Sequence, residues 1–282
     1  MLNFIFVRRI GILFHPKVEK SEAFAHNIED NLRGKGIDCW LHSSWDESGA
    51  QRQLNQTDLI VSVGGDGTIL RVSRIIYPRQ IPIVGVNFGN LGFMAELESV
   101  DALEKLSDII DGRGWYDNRT MLEVRLNSSK RFSALNDVVL GRGRNLRLID
   151  IEASIDRNVF ATYRADAVIV STSTGSTGYL MAANGPVVYP ESKDMVLKAV
   201  CPHLSLDKAL VISSASEIEF KVKTKHEAIL SMDGQVEEIL KDGDEVAVLI
   251  SPYVTRFLRL APRTKFYTTL IMKLKEKNRD TK

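Results

Sequence analysis

The stretch Asp58-Leu-Ile-Val-Ser-Val-Gly-Gly-Asp-Gly-Thr-Ile-Leu-Arg-Val-Ser-Arg-Ile-Ile76 decides the fold class. Its first half is an apolar run too short for a helix, which reads as a buried strand. From Ile69 to Ile76 apolar residues recur at helical spacing. Between the two lie Gly64, Gly65, Asp66, Gly67 and Thr68. A strand, a glycine turn and a helix form the junction at which α/β sheets bind ligands. The glycines let the backbone approach a phosphate, and the helix brings the positive end of its dipole. Asp66 breaks the ordinary phosphate-loop reading. A negative charge aimed at a phosphate is useful only if it holds a metal or takes a proton. The competing reading is a turn aspartate that caps the helix beginning near Thr68. Arg71, nearly one turn along, either neutralises a phosphate beside the loop or is a solvated helix charge.

Outward from this stretch, strands and helices alternate over residues 1–115. Ile10 to Phe14 reads as a strand stopped by His15-Pro16, and Glu22 to Arg33 as a polar-faced helix ended by Gly34 and Gly36. Ile37 to Leu41 and Ile81 to Val86 are further strands, and Val100, Leu103, Leu106 and Ile110 recur at helical spacing. This is a doubly wound, mostly parallel α/β domain. Beyond Gly112 and Gly114 come short runs separated by turn residues: Met121 to Leu126, Ala134 to Leu140, Leu148 to Ile155, Ala167 to Val170, Ala209 to Ile212, Ile218 to Val222, Ala228 to Met232 and Glu245 to Ile250. They predict an all-β, sandwich-like second domain over residues 116–265. The tail, residues 266–282, carries Phe266, Leu270, Ile271 and Leu274 and is expected to pack back on the first domain.

The 282 residues suit two domains. Lys and Arg number 37 against 36 for Asp and Glu. That balance offers no support for a nucleic-acid or membrane partner, so any basic site is local. Cys39 and Cys201 stand far apart with no metal-ligand spacing and suit a reducing cytoplasm. The first residues place apolar side chains before Arg8 and Arg9, the reverse of a signal peptide. No apolar run approaches the roughly 18 residues of a membrane span.

Three other segments carry candidate chemistry. In Gly85-Val-Asn-Phe-Gly-Asn-Leu-Gly-Phe-Met94, Gly89 and Gly92 would let the loop fold against a ligand. Phe88 or Phe93 offers a flat face to a purine, or packs in the core. Asn136 and Asp137, at the entrance to an apolar run, suit sugar hydroxyls or an adenine edge, or make an ordinary Asn-Asp turn. The loop Ser171-Thr-Ser-Thr-Gly-Ser-Thr-Gly-Tyr179 can bind a nucleotide without charge, or is a surface loop. The apolar strand running straight into it argues for a rigid seat. Walker A spacing, a dinucleotide fingerprint and a nucleophile elbow are all missing.

In order along the chain, Gly64-Gly-Asp-Gly-Thr68, Gly85 to Phe93, Asn136-Asp137, Ser171 to Tyr179, Cys201-Pro-His-Leu-Ser205 and Met232-Asp-Gly-Gln235 resemble the NAD kinase family. The Gly-Gly-Asp-Gly element alone is shared with lipid kinases and phosphofructokinases; the combination is specific. The resemblance implies transfer of the γ-phosphate of ATP, or of polyphosphate or another nucleoside triphosphate, to the 2′-hydroxyl of the adenosine ribose of NAD, making NADP. It implies Mg2+ or another divalent metal whose ligands are unknown. It assigns Asp66 as the base, with Gly64, Gly65, Gly67, Thr68, Arg71, Asn87 and Phe93 around the substrates. Asn136 and Asp137 would hold the adenosine portion, with Arg147 and Arg164 near the dinucleotide. Asp166 would reach an amide or amino group, and Thr177, Gly178, Tyr179, Leu180, Met181 and Ala182 would line the adenine pocket. Gln235 would sit near the nicotinamide end. A homodimer or homotetramer is implied.

The chain departs from the family pattern at Asp137, where glutamate is usual, and at Ala165 and Ala167, which replace glycines. Ser173 stands for proline, and Lys208-Ala209 for an arginine-proline pair. Two rival readings are a lipid kinase, which requires a membrane-facing stripe that the sequence lacks, and a dinucleotide sensor that binds NAD without turnover.

Overall fold

A computed structural model describes residues 7–88, 92–144, 147–203 and 206–279. The chain forms two compact units: residues 1–118 with 255–282, and residues 119–254. The first unit begins with β1 (Arg9–Phe14), α1 (Ser21–Gly34), β2 (Asp38–Ser43), α2 (Glu47–Gln53), β3 (Leu59–Gly64), α3 (Asp66–Ile76), β4 (Ile83–Asn87), β5 (Leu97–Glu98) and α4 (Ala102–Ile110). Its strands lie in the order β4-β3-β1-β2, all parallel, with β5 parallel to β4. All six residues of β3 are buried, as both faces of a parallel sheet are covered by helices. Strand β1 leads on to β2 on one side, whereas β3 leads on to β4 on the other. The carboxyl ends of β1 and β3 therefore flank a topological switch point, the place where open α/β sheets take ligands.

Two helices differ from the sequence pattern. Val100 is 88% exposed and lies outside α4, which begins after Asp101 and buries Ala102, Leu106 and Ile109. Helix α2 has no apolar periodicity, because its sequence is almost wholly polar. It starts because the Asp46 carboxylate accepts the Gly49 N–H at 2.9 Å, a side-chain cap.

The second unit is built from β6 (Trp115–Leu126), β7 (Lys130–Ala134), β8 (Asp137–Arg142), β9 (Ile149–Ile155), β10 (Asn158–Ala165), β11 (Ala167–Ser171), the short α5 (Tyr179–Ala182), β12 (Met195–Val200), β13 (Leu210–Ile212), β14 (Ile218–Val222), β15 (Ala228–Met232), β16 (Val236–Leu240) and β17 (Glu245–Arg259). One antiparallel sheet runs β13-β12-β11-β8-β15-β16; a second layer runs β10-β9-β14-β17, with β6 and β7 beyond β17. Alternation places Ile149, Ile151 and Ala153 of β9 inward. They share one core with Val138 and Leu140 of β8, Val168 and Val170 of β11, and Phe220 of β14. This is the mostly antiparallel β architecture expected beside an α/β domain.

Residues 115–118 of β6 and 255–259 of β17 belong to the first unit, where Phe257 pairs with Ile83 of β4 and Leu258 enters the core. Helix α6 (Lys265–Arg279) follows, and its Phe266 ring meets Phe93 at 6.2 Å. Among the described residues, no helix is long and apolar enough to cross a membrane.

Candidate active site

In the first unit, β3 delivers its last residue, Gly64, into the turn, and α3 begins at Asp66 with Gly65 as its N-cap residue. A Cβ on Gly64 would lie 2.3 Å from Thr68 Oγ1, so only glycine lets buried Thr68 fold back over the strand end. Asp66 is half-buried in the first turn of the helix. Its Oδ2 accepts the N–H of Phe93 at 2.8 Å, and its Oδ1 accepts the N–H of Met94 at 3.2 Å. A Cβ on Gly92 would lie 2.0 Å from Asp66 Oδ1. The second glycine-rich segment is therefore shaped around this carboxylate: Gly92 clears the space and the next two backbone N–H groups hold it. Two lone pairs per oxygen leave acceptor capacity for a further hydrogen.

Met94 is itself anchored. Its carbonyl accepts from Arg259 Nη1 at 2.6 Å, and Arg259 Nε also donates to Asp117 Oδ2 at 3.2 Å. Arg259 Nη1 lies 3.5 Å from Glu96 Oε2, and all three charged side chains are buried. Arg71 Nη1 reaches Glu47 Oε1 at 3.3 Å. Asn87, the last residue of β4, is buried, and Phe93 contributes its backbone N–H to the carboxylate while its ring faces Phe266. Gly89 lies outside the described residues.

In the second unit the apolar run from Ala134 to Leu140 is not one strand. It breaks at Leu135-Asn136, between β7 and β8, because a single carboxylate gathers three successive backbone N–H groups. Asp233 accepts from Leu135 N at 2.9 Å, Asn136 N at 2.7 Å and Asp137 N at 3.1 Å. Asp233 and Gly234, with φ of 53° and 63°, lead the three-residue connection of the β15–β16 hairpin. The Ser/Thr loop closes on the same segment from the other side. Thr172 Oγ1 donates to the Leu135 carbonyl at 2.6 Å, and a Cβ on Gly175 would lie 2.1 Å from the Asn136 carbonyl oxygen. Ser171, Thr172, Ser173, Thr174 and Ser176 are buried, so these hydroxyls seat the loop.

Asn136, Asp137, Val139, Tyr179, Ser231, Asp233 and Gly234 line an open pocket of about 360 Å³. Among the described residues the buried Asn136 Oδ1 has no hydrogen-bond partner, and its lone pairs can accept from a ligand. Burial, reinforced by the Asp233 charge, pushes the Asp137 carboxyl up to about 7. Between its ordinary value and 7 the folded chain thus binds a proton that the unfolded chain has released. The resulting stabilisation is full in acid and is lost as pH rises through about 7. Asp137→Asn should remove this dependence, raising stability at pH 8 relative to pH 5 by about 2–3 kcal/mol compared with wild type. Urea midpoints at the two pH values measure it; equal differences in both proteins would refute the shift.

The other sequence candidates separate into groups. Asp166 pairs with Arg142 at 3.3 Å. Burial raises the Tyr179 phenol, and charges at Cys201, Asp166 and Asp137 add to the rise. Gly178 and Ala182 are exposed and Thr177 and Met181 half-buried, whereas Leu180 is fully buried. Gln235 follows the hairpin turn, its N–H donating to the Met232 carbonyl at 3.0 Å. Arg147 and Arg164 line a different pocket of about 520 Å³ together with Lys223, Lys225 and His226. Asp233 and Arg259 had no assigned role in the sequence. The Asp-Gly pair between two strands signals a hairpin, but nothing local marks either residue as the holder of a distant segment.

Residues 2–114 match the ATP-NAD kinase N-terminal domain and residues 135–260 the ATP-NAD kinase C-terminal domain. An NAD kinase of Dehalococcoides mccartyi is 40% identical over 276 residues, covering 96% of this chain and 97% of that protein. One of Chloroflexus aggregans is 35% identical over 273 residues, covering 95% and 99%. The crystal structure of an NAD kinase from Archaeoglobus fulgidus in complex with ATP matches with a TM-score of 0.76 at 27% identity, over 91% of this chain and 96% of that one. Yeast NADH kinase complexed with NADH shares the fold, with a TM-score of 0.85 at 23% identity over 94% and 86% of the two chains. Matched by both domain descriptions and by relatives of this identity along nearly its whole length, the chain belongs to the NAD kinase family.

Proposed function

We propose that this NAD kinase transfers the γ-phosphate of ATP to the 2′-hydroxyl of the adenosine ribose of NAD, with Asp66 as the general base. The observation that carries the reading is the carboxylate held by the Phe93 and Met94 N–H groups, at 2.8 and 3.2 Å, on the first turn of α3. A base must be fixed within hydrogen-bond reach of the proton that it removes. Rigid strand, helix and backbone donors supply that here. As the ribose oxygen bonds to the γ-phosphorus, its proton passes to Asp66 and the bond from that phosphorus to the β,γ-bridging oxygen breaks, releasing ADP. Gly64, Gly65, Gly67 and Thr68 border the phosphates at a helix N-terminus, which favours negative charge. Arg71, one turn along, adds a cation. Phosphoryl transfer asks little else of the protein than position and electrostatics.

The divalent ion enters with the triphosphate as part of the substrate. Among the described residues, no group of three or more His, Cys, Asp or Glu side chains could hold a metal. Phosphate oxygens and water, the usual magnesium ligands beside one or two carboxylates, would complete its shell. Asn136 and Asp137 take ribose or adenine polar groups, Asn136 through its unpartnered oxygen and Asp137 as a carboxyl that both donates and accepts when protonated. Asp166, Arg147, Arg164, residues 177–182 and Gln235 complete the dinucleotide site by their matched positions in the family. The enzyme works as a homodimer or homotetramer in the cytoplasm.

Purified protein incubated with magnesium, NAD and either ATP or inorganic polyphosphate, and scored with an NADP-specific dehydrogenase, tests donor and target together. NADP from ATP supports the reading. Calorimetric NAD binding with no NADP from any donor makes the chain a sensor and defeats it.

A further inference from the structure

At the carboxyl end of the parallel sheet, beside Arg71, stand three side chains with no part in the reading above. Trp45, two residues after β2, is 46% exposed. Its ring meets that of His15 at 5.8 Å in an edge-on contact. Lys17 Nζ lies 4.5 Å from the indole centroid, and the Arg71 guanidinium carbon 5.4 Å. The cluster adjoins the glycine turn. His15 directly follows β1, its N–H donates to the Val63 carbonyl at 3.0 Å, and a Cβ on Gly64 would come within 3.3 Å of its own Cβ. His15 Nδ1 accepts the Lys17 N–H at 3.1 Å, which leaves Nε2 as the protonated ring nitrogen of the neutral form. Among the described residues, no carboxylate lies within ion-pair distance of Lys17.

An indole this exposed covers little core. What it does is meet two long cationic side chains, Lys17 and the Glu47-paired Arg71, at the switch point between β1 and β3. Ordering those side chains in advance lowers the entropy cost of binding an anion. An extended anion fits, because the cluster continues from the glycine turn through His15 to the indole and Lys17. We propose that His15, Lys17 and Trp45 form a subsite for the phosphate chain of the phosphoryl donor, with Trp45 holding Lys17 ready for it beside Arg71. This rests on the kinase reading and adds the donor's contacts beyond the glycine turn. A nucleoside triphosphate and inorganic polyphosphate share the phosphoanhydride chain and are separated by experiment.

Lys17→Gln and Trp45→Leu change exposed side chains. Each should raise the KM for Mg–ATP about tenfold, the effect of one charge-assisted contact, and leave the KM for NAD within about twofold. If wild type also makes NADP from polyphosphate, the same rise should appear for that donor; if only ATP serves, the nucleotide is the occupant. Tryptophan emission gives a second readout. Mg–ATP and Mg–tripolyphosphate should both change it in wild type and not in Trp45→Leu, while adenosine and NAD leave it unchanged in both. A response to adenosine alone would make the indole a base platform and overturn the proposal. Donor KM values unchanged in both variants, with wild type still forming NADP, would overturn the subsite and leave the kinase reading standing. No NADP from wild type would overturn that reading itself.

Discussion

Asp66→Asn should lower kcat by about 100-fold or more, the scale of a lost general base, while the NAD dissociation constant moves by less than about threefold. The substitution nearly preserves shape and removes basicity. It also creates a local conflict: the carboxylate accepts from both Phe93 and Met94, whereas a carboxamide has one accepting oxygen and an NH2 group that must face the second N–H. The loss of one hydrogen bond costs about 1 kcal/mol, too little to unfold a chain of this size. Steady-state kinetics, calorimetry and a urea titration on one preparation separate the two effects. A folded variant that turns over within about threefold of wild type would remove Asp66 from the chemistry.

Arg259→Met should destabilise the protein by about 3–5 kcal/mol, the usual result of leaving buried charges without their partner. Arg259 is 6% exposed and faces Glu96 and Asp117, both buried, and its guanidinium lies 4.7 Å from the Phe257 ring. Methionine fills much of the volume and takes the guanidinium away from both carboxylates. Glu96 keeps the N–H groups of Leu260 and Ala261 through Oε1, at 3.0 and 2.7 Å, so the loss is partial. The same guanidinium holds the Met94 carbonyl at 2.6 Å, one peptide group away from an Asp66 anchor. Turnover in the surviving folded fraction should therefore fall too. Arg259→Lys keeps the charge but not the fork that serves Met94 and Asp117 together, and should fall between the two. Urea unfolding followed by two probes gives the midpoints, since two units need not unfold as one. A wild-type midpoint in Arg259→Met would mean that the buried triad contributes nothing.

Much of the architecture was legible because it follows local rules. A continuous apolar run reads as the doubly covered β3, and alternation reads as β9 with one face inward. What stayed hidden was polar or long-range. Helix α2 rests on one capping carboxylate and buries little, so periodicity carried no trace of it. The turn between β7 and β8 interrupts an apolar run because of Asp233, almost a hundred positions later in the chain. Phe93, read for the face of its ring, serves Asp66 through its backbone N–H. Side-chain chemistry says nothing about such a donor.

By itself the sequence determined the parallel α/β unit, the β-rich unit, the position of a lone aspartate among glycines and the family to which these belong. Spacing, glycine content and residue type are properties of neighbours along a chain, and they are written there. Only the tertiary structure decided what holds that aspartate: Gly92 making room, Phe93 and Met94 donating, and Arg259 fastening Met94 from the far end of the chain. The reason is physical. Hydrogen bonds and buried ion pairs act over a few ångströms whatever the separation in sequence, so partners 27 and 165 residues apart become neighbours only when the fold closes.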